Sequence, residues 1–561
     1  MIEFDRILDR IGHLGRYQLF LCFLVYWQGI PAGLHSIASV FYAAPVSYRC
    51  KVPPLDNSTL YPNLTEAEIV NYTVPNGDTC FRYGYNLSTC EPPSTSCVNM
   101  SASAMRCDQG YEYDPTPFSS TVDMEWNLVC NRKILGTMAT SFFFAGMWTG
   151  AVVFGYLADL IGRRYTILIA TIGTLISGVA TAFAPWFELF VVLRFFSAVF
   201  SHAGFLFMFV YVVEITGDKR TLTGVHTHTA FCAGYMLNSL FAYFFRDWRD
   251  FYFYLSLTPI PYFLFHFFVP ESPRWHFSNG RDEEGKKISY KFAKNNKKEI
   301  TEADWKEAEV AATDAQLLNK KYSSLDLFKP RLMRLITFNC MYSWLVTAMV
   351  YYGLSLNAGA LAGDIFINNL LNGAMEIVGY LFCQFTMDRL GRKTLLTMMM
   401  FLQGFSCLIS TALNELSNGN EAMVTAGVVF AFIGKIGTAG SFAIVYNFTA
   451  ELYPTVLRGN AVGIGSMAAR VGSISSPYII LLQDYISWLP FVIFGVMSII
   501  AGGLGFLFPE TMNKTMPQTI AEAELFYEEA YSRKKSTDHL KGEINEAMDN
   551  SFDSNESVTK F

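Results

Sequence analysis

The sequence predicts an all-α integral membrane protein of twelve transmembrane helices in two pseudo-symmetric six-helix bundles, with a large disulfide-linked extracellular loop. Of its 561 residues, 52% are hydrophobic and 16% are charged, whereas soluble domains carry about 25% charged residues. A helix that crosses a bilayer needs about 20 apolar residues, and the sequence has twelve such stretches, six in each half. This composition excludes an ordinary soluble enzyme, and a net charge of −6 without a basic stripe gives no sign of a nucleic-acid partner.

Each predicted span is a long apolar stretch between polar segments. The N-terminal bundle, 17–269, contains 17–44, 134–158, 165–185, 187–213, 225–245 and 251–269. The C-terminal bundle, 331–508, contains 333–355, 363–387, 394–413, 422–449, 459–482 and 486–508. Residues 1–16 precede the first span, which is too long to be a signal-peptide core and is therefore predicted to stay as a helix.

Basic residues in the short connections predict the orientation, because lysine and arginine stay on the cytoplasmic side of a membrane. One set of connections contains Arg163, Arg220, Arg392 and Arg458, whereas the connections on the opposite side contain few basic residues. We therefore expect both termini, including residues 1–16, to be cytoplasmic.

The connection 45–132 is expected outside the cell and has the composition of an oxidised, glycosylated loop. Its cysteines are Cys50, Cys80, Cys90, Cys97, Cys107 and Cys130, and its Asn-x-Ser/Thr sequons begin at Asn57, Asn63, Asn71, Asn86 and Asn99. Six cysteines in an exported loop predict up to three disulfides among fifteen pairings. A zinc site is disfavoured because no two of them are spaced as CxxC. The other five cysteines fall within spans, where we expect them to be packing residues.

Two polar segments are expected in the cytoplasm. The linker 270–330 is rich in Lys and Glu, and its stretch 302–318 is predicted to be a solvated helix that packs under the bundle. The tail 509–561 is expected to be largely disordered. Its last residues, Thr559, Lys560 and Phe561, fit the C-terminal ligand of scaffold-domain proteins that capture a terminal carboxylate.

The two halves repeat three short motifs in the same order, which is typical of transporters built from related bundles. Asp159 in Gly-x-x-x-Asp-x-x-Gly-Arg-Arg has its counterpart 229 residues later, at Asp388. The other pairs are Glu214 and Arg220 with Glu451 and Arg458, and Pro270-Glu271-Ser272 with Pro509-Glu510-Thr511.

These motifs resemble those of the major facilitator superfamily. More specific segments are 119–130 (Ser-Ser-Thr-Val-Asp-Met-Glu-Trp-Asn-Leu-Val-Cys), Asp247-Trp-Arg249 and 450–458 (Ala-Glu-Leu-Tyr-Pro-Thr-Val-Leu-Arg). Together with the Cys-rich loop they resemble solute carrier family 22, the organic cation, anion and zwitterion transporters, over residues 1–515. Sugar porters share the Gly-Arg-Arg loops, but their Pro-Glu-Thr-Lys-Gly reads Pro-Glu-Thr-Met-Asn at 509–513.

The Gly-Arg-Arg turns are candidates for a cytoplasmic gate. Gly155 would let two helices approach closely, Gly162 would permit a tight turn, and Asp159 would bind basic side chains and face a helix N-terminus of the other bundle. The resemblance implies that Glu214, Arg220, Glu451 and Arg458 join this network. The full set of candidate gating residues is Gly155, Asp159, Gly162, Arg163, Arg164, Glu214, Arg220, Asp388, Gly391, Arg392, Glu451 and Arg458. The alternative is that these residues only fix topology.

Four ionisable residues, Arg194, Glu376, Lys435 and Arg470, fall within spans, where each costs about 2.5–3.5 kcal/mol and needs a partner or a watery cavity. Arg470 lies among small residues, and a planar guanidinium suits a carboxylate or sulfonate. We expect it to face solvent-filled space opposite an aromatic surface. The resemblance implies a discriminating position, since cation transporters have an acid here while anion and carnitine-type members have Arg. Glu376 and Lys435 are also candidate substrate-binding residues, and Glu376 would help to receive the cationic end of a substrate. The alternatives are an Arg470 held by a structural carboxylate, and a Glu376–Lys435 pair that neutralises itself.

Aromatic residues are candidates to receive a cationic group. Trp344 and Tyr351 are seven residues apart and so share one helical face, with Tyr352 adjacent. A quaternary ammonium gains about 0.5–2 kcal/mol from each aromatic face. The resemblance implies that Phe442 lines a cavity. It also implies that Tyr380 matches carnitine and ergothioneine transporters, since organic anion members tend to have Lys there.

These features lead us to expect a polyspecific plasma-membrane transporter of small organic zwitterions or cations, such as carnitine-like or ergothioneine-like betaines, working by alternating access. Organic anion exchange is the alternative within the same family, and a membrane receptor that binds without transporting is the alternative from another class. Nothing suggests an enzyme, a metal or a cofactor, because no nucleophile and base occur at a recognisable spacing. Coupling to sodium or to a counter-substrate stays open.

Overall fold

In a computed structural model of the protein, the described residues are 4–52, 56, 65–85, 98–99, 104–317, 323–514 and 516–531. Several predicted residues lie outside this set: Cys90, Cys97, Asn57, Asn63, Asn86, Thr559, Lys560 and Phe561. The side chains of Asn99 and Arg220 also lie outside it. Asn71 is described and exposed, as a glycosylation acceptor must be.

A helix or a broken helix covers each of the six predicted N-terminal spans. Spans 1 to 6 are Arg16–Tyr42, Lys133–Ile161, Arg163–Ala182, Phe187–Thr216, Arg220–Phe244, and the pair Trp248–Ser256 with Pro261–Phe265. Span 1 itself consists of the helices Arg16–Tyr26, Gly29–Ile37 and Ser39–Tyr42. Span 6 is interrupted near Pro259 and Pro261, because proline cannot donate the helical hydrogen bond.

The C-terminal bundle repeats the pattern. Spans 7 to 12 are Arg331–Leu356, Ile365–Leu390, Arg392–Glu415, Glu421–Leu452, Arg458–Leu481 and Leu489–Gly505. Within the described residues, seven helices are long and apolar enough to cross a membrane by themselves. The remaining spans are shorter, broken or more polar, so they depend on packing inside a bundle to be stable in lipid.

Small residues allow the helices of a bundle to pack closely, but not at the glycine that we predicted. A Cβ at Gly150 would clash with the backbone carbonyl oxygen of Val199 in span 4, and one at Gly146 of span 2 would clash with that of Phe195. At Gly155, no atom lies within 4 Å of where a Cβ would stand. The expectation that Gly155 allows a close helix approach is therefore wrong for this conformation, since the side of span 2 that carries Gly155 has no described neighbouring atom, whereas the adjacent Phe154 packs on Phe200 of span 4.

The loop 45–132 forms small antiparallel strand pairs held by disulfides. Tyr48–Cys50 pairs with Tyr111–Tyr113, Phe81–Arg82 with Met105–Arg106, and Gly84–Tyr85 with Val98–Asn99. Short helices cover Glu66–Thr73 and Val122–Glu125. Two disulfides join Cys50 to Cys107 and Cys80 to Cys130, which confirms the oxidised loop. The five cysteines within spans are free and buried, as predicted for packing residues.

The opposite face of the molecule carries the linker. Helices cover Phe4–Ile11, Pro273–Ser278, Asp282–Asn295 and Glu302–Leu317. Trp305 is buried in the core of the N-terminal bundle, so the last linker helix packs under that bundle. Residues 520–531 form a further helix whose Tyr527 hydroxyl donates to the carbonyl of Leu452, at 2.8 Å. This part of the tail is therefore ordered, contrary to our expectation, because Ala523 and Tyr527 are apolar and fully buried.

Two names for the surfaces follow from this arrangement. The loop face is the end of the bundles that carries the strand pairs of 45–132. The linker face is the end that carries the linker helices.

Candidate substrate site between the two bundles

Arg470 lies at the contact between the bundles and is 9% exposed. Its Nη2 donates a hydrogen bond to Nε2 of His202 in span 4, at 2.9 Å. Its Nε is buried and has no hydrogen-bond partner among the described residues. No described carboxylate lies within ion-pair distance of Arg470. The structure therefore contradicts the alternative in which a structural carboxylate holds Arg470.

The contact with His202 fixes the state of that imidazole. A guanidinium can only donate hydrogen bonds, so Nε2 of His202 must be the acceptor and the ring must be neutral, with its hydrogen on Nδ1. Arg470 is thus held across the bundle interface by a neutral partner, and its positive charge is not cancelled.

Aromatic rings from both bundles form a connected set at this interface, and we call them the aromatic box. Its members are Phe205, His228, Tyr351, Tyr352, Tyr380, Phe442 and Tyr446. Tyr352 and Tyr446 of this set interact with the guanidinium of Arg470. The rings of His228 and Tyr380 have centroids 5.4 Å apart across the interface, and those of Tyr351 and Phe442 are 5.0 Å apart within the C-terminal bundle. Phe442 and Tyr446 are half-buried.

The expectation that Arg470 faces solvent-filled space is wrong for this conformation. Arg470, Tyr351, Tyr352 and Tyr380 are all below 10% exposed. The physical reason is that span 4 closes over the site, placing His202 against the guanidinium.

Trp344 also departs from the prediction that it shares a cavity wall with Tyr351. Its ring is fully buried in the core of the C-terminal bundle, and its Nε1 donates to Oγ1 of Thr449 at 3.0 Å. The half-buried ring of Tyr446 packs on it, with centroids 4.3 Å apart. Trp344 therefore supports a ring of the aromatic box from behind.

Glu376 and Lys435 form an ion pair with each other. Nζ of Lys435 lies 2.7 Å from Oε1 of Glu376, and both side chains are fully buried. Lys435 also donates to Oγ of Ser355 at 2.5 Å and lies 3.7 Å from the centroid of Tyr351. The thiol of Cys232 in span 5 donates to Glu376 at 3.0 Å. This arrangement corrects the placement of Glu376 and Lys435 as free substrate groups, since each already neutralises the other.

Arg194 occupies a separate place inside the N-terminal bundle. Its Nη1 donates to the hydroxyl of Tyr252 at 2.9 Å, and its guanidinium lies 4.1 Å from the centroid of Phe143. Aromatic faces therefore stabilise this cation in lipid.

The Gly-Arg-Arg turns have the predicted backbone. Gly162 has φ +94° and Gly391 has φ +86°, which are conformations that favour glycine. Each turn begins the next span, and the free N–H groups there bind a carboxylate. Glu271 accepts from the N–H of Arg163 at 2.8 Å, and Glu510 accepts from the N–H of Arg392 at 2.9 Å. Burial raises the pKa of Glu271, although the hydrogen bonds from the backbone of Ser272, Arg164 and Arg163 oppose this.

Further ion pairs join the turns to spans 4 and 10. Arg163 lies 2.9 Å from Glu214, and Arg392 lies 3.0 Å from Glu451. Arg164 donates to the carbonyl of His266 at 3.1 Å. Arg458 contacts the sulfur of Met516 at 3.3 Å.

The acidic residues of the turns do not reach the other bundle. Asp159 pairs with Arg163 and Asp388 with Arg392, each one turn away, and the two acidic side chains are 79% and 81% exposed. The expectation that Asp159 faces a helix N-terminus of the other bundle is wrong here, because these ion-pair contacts of the turns stay within one bundle. The helix N-termini at the two turns are occupied instead by Glu271 and Glu510.

The two bundles are in contact near the loop face. Near the loop face, Oγ of Ser141 donates to the carbonyl of Ile474 at 3.1 Å, and Lys133 pairs with Asp484 at 2.5 Å. Near the linker face, Gly155 of span 2 and Gly459 of span 11 have no neighbouring atom within 4 Å of a Cβ position. The molecule is therefore closed at the loop face.

Sequence reasoning missed three residues that the structure brings to the interface. His202 and His228 are not among the candidates from the sequence, yet His202 binds Arg470 and the ring of His228 packs at a tilt against that of Tyr380. Tyr446 was not singled out. The available signal was its position four residues after Phe442, which places both rings on one face of span 10.

Two related six-helix bundles, matched Gly-Arg-Arg turns and a charged site between the bundles define a major facilitator transporter. A family model described as "Sugar (and other) transporter" matches residues 79–521. The xylose transporter XylE of E. coli superposes with a TM-score of 0.59 in its partially occluded inward-open conformation, at 17% identity over 89% of this chain and 99% of that one. Its inward-open conformation gives a TM-score of 0.57 at 16% identity, over 91% and 99% of the two chains. These likenesses establish the fold.

Relatives of higher identity define the family. The "Organic cation transporter protein" of Drosophila melanogaster is 32% identical over 93% of this chain and 95% of its own. "Solute carrier family 22 member 16" of Xenopus laevis is 31% identical over 98% and 99% of the two chains. "Solute carrier family 22 member 7" of Rattus norvegicus is 32% identical over 93% and 98%. The chain belongs to solute carrier family 22, and it is a membrane transporter and not an enzyme.

Proposed function

We propose that this protein carries small organic zwitterions or cations, such as carnitine-like or ergothioneine-like betaines, across the plasma membrane by alternating access. The observation that carries the proposal is the uncancelled charge of Arg470. Since Glu376 and Lys435 neutralise each other, Arg470 gives the interface between the bundles a net positive charge. A substrate carboxylate would supply the missing acceptor for its Nε.

The aromatic box supports recognition of the other end of a zwitterion. Tyr446, which interacts with Arg470, and Phe442, which stacks on Tyr446, are both half-buried. A quaternary ammonium needs no hydrogen bonds, and aromatic faces bind it with about 0.5–2 kcal/mol per contact. A betaine would thus place its carboxylate on Arg470 and its ammonium against these rings.

The arrangement of the two ends of the bundles supports alternating access. The bundles are in contact at the loop face, through Ser141 and Lys133. We take the opposite, linker face to be cytoplasmic because it carries the basic residues of the turns. In the opposite state, Gly155 and the acids Asp159 and Asp388 would approach the other bundle. The ion pairs of Arg163 with Glu214 and of Arg392 with Glu451 would keep each turn rigid during that motion.

The test is a charge reversal at the guanidinium, Arg470→Asp, in protein reconstituted into vesicles. We expect it to abolish uptake of a labelled betaine while sparing or creating uptake of a simple quaternary cation. Arg106→Asp reverses the charge of an exposed arginine of the loop and is the matched control. Unchanged betaine uptake in Arg470→Asp would remove Arg470 from the site. Measuring uptake with and without sodium would reveal ion coupling.

Organic anion exchange is the second candidate, and the absence of any described carboxylate beside Arg470 favours it. A competition panel of anions, cations and betaines against the labelled betaine separates the two functions. Strong inhibition by anions that lack a cationic group would favour exchange of anions.

A receptor that binds without transporting is the candidate from another class. Counterflow of labelled substrate in the same vesicles decides the point. A receptor would show binding without accumulation of label.

A further inference from the structure

A cavity of about 350 Å³ opens at the loop face, separate from the aromatic box. Both bundles contribute to its wall, through Ser39 and Asp123 on one side and Asn357 and Pro477 on the other. Neither Arg470 nor any member of the aromatic box lines it. The volume is in the range of small-molecule pockets.

Three polar side chains of this wall lack hydrogen-bond partners among the described residues. Oδ1 of Asn357 and Oγ of Ser39 are buried and unpartnered, and their residues are 5% and 7% exposed. The half-buried carboxylate of Asp123 receives no hydrogen bond from any described group. Buried acceptors without donors are costly, so a ligand that brings donors would be stabilised here.

The charge of the cavity favours a cation. Lys133 and Asp484 also line it, and they neutralise each other at 2.5 Å. The ionised carboxylate of Asp123 is then left as a net charge of −1. Burial raises the pKa of Asp123 to about 7, and nearby Lys133 opposes this shift. A bound cation would offset the cost of keeping this carboxylate charged.

We propose that this cavity is an outer binding site for a small protonated amine, whose N–H groups donate to Asp123, Asn357 and Ser39. The acceptors require N–H donors, so a primary ammonium fits better than a quaternary one. This site differs from the aromatic box, which has aromatic faces and no free acidic group. An amine held here meets both bundles at the point where they close the loop face.

The test follows the reactivity of a cysteine placed in the wall. Thr137 lines the cavity and is half-buried, and the five free cysteines of the described residues are all buried. Thr137→Cys protein in lipid nanodiscs is treated with a neutral methanethiosulfonate reagent, and the unsubstituted protein gives the background rate. Phenethylammonium and its N,N,N-trimethyl analogue are the probes.

We expect phenethylammonium to slow modification of the new cysteine about tenfold, and the trimethyl analogue to slow it less than twofold. Adding Asp123→Asn should remove the protection, and Asn357→Ala should weaken it, because the amide carbonyl of Asn357 accepts from the amine. Glu112→Gln, which removes a half-exposed acid of the loop outside the cavity, should leave the protection intact.

Several outcomes would overturn the proposal. Absence of protection in the Thr137→Cys protein, or equal protection by the two probes, contradicts an amine site with N–H acceptors. Protection that survives Asp123→Asn contradicts the role of the carboxylate. Arg470→Ala separates the two sites, because loss of protection in that variant would place the amine at the aromatic box. Modification rates without probe and thermal unfolding identify any variant that fails to fold, and Asn357→Ala then carries the test.

Discussion

Breaking the buried ion pair of Lys435 and Glu376 tests whether Glu376 is structural. Glu376→Gln keeps the shape of the side chain and removes its charge. Both partners are fully buried and 2.7 Å apart, so the substitution leaves an uncompensated ammonium in the bundle. Removal of one partner of such a pair costs about 3–5 kcal/mol.

The assay is thermal and denaturant unfolding of the purified protein, with the double variant Glu376→Gln/Lys435→Met as a cycle. The double variant should regain most of the lost stability, because no unpaired charge remains. Glu112→Gln is the control, since Glu112 and Lys51 are 44% and 46% exposed and 3.7 Å apart. An exposed pair of this kind contributes less than about 1 kcal/mol.

One result would refute the structural role. If Glu376→Gln unfolds like the wild type while its KM for a cationic substrate rises tenfold, then Glu376 is a substrate group and the pair with Lys435 is not what stabilises the bundle.

The remaining predictions concern the turn, the loop and its acid. In an unfolding assay, Gly162→Ala should destabilise the protein by about 1 kcal/mol or more, because φ is +94° and the new Cβ would meet Glu271. Gly155→Ala is the control and should be near neutral, because its Cβ would meet no atom within 4 Å. Replacing Cys50 and Cys107 by serine opens a loop with a sequence separation of 57 and should cost about 4 kcal/mol by chain entropy, seen as unfolding of the loop at lower temperature and easier proteolysis. Asp123→Asn should stabilise the protein at pH 8 and have little effect near pH 4, because burial raises the pKa of this acid to about 7. Between about pH 4 and pH 7 the folded state binds more protons than the unfolded state, so the free energy of unfolding of the wild type falls as pH rises. An Asp123→Asn protein whose free energy of unfolding depends on pH as the wild type's does would contradict this.

Features that depend on neighbours along the chain could be predicted from the sequence. The positions of the spans follow from local hydropathy, and the turns at Gly162 and Gly391 follow from the need for positive φ. The oxidised loop followed from its cysteines, although pairing of Cys50 with Cys107 required coordinates.

Features that depend on helix rotation could not be predicted in the same way. Most spans are apolar on every side, so periodicity does not mark which face meets the partner bundle. The prediction placed Trp344 on a cavity wall, yet its indole turns toward Thr449 in the bundle core. Helix rotation was also unknown at Gly155, so the sequence predicted a close helix approach there that this conformation does not make.

The sequence by itself determined that this chain is a two-bundle membrane transporter with an oxidised loop and rigid glycine turns, because these properties depend on local composition and short motifs. Only the tertiary structure decided which buried charged side chain between the bundles has no counter-ion among the described residues. Glu376 and Lys435 cancel across spans 8 and 10, whereas Arg470 meets a neutral His202. The physical reason is that an ion pair needs two groups within about 4 Å, and that distance is set by packing between helices far apart in the chain.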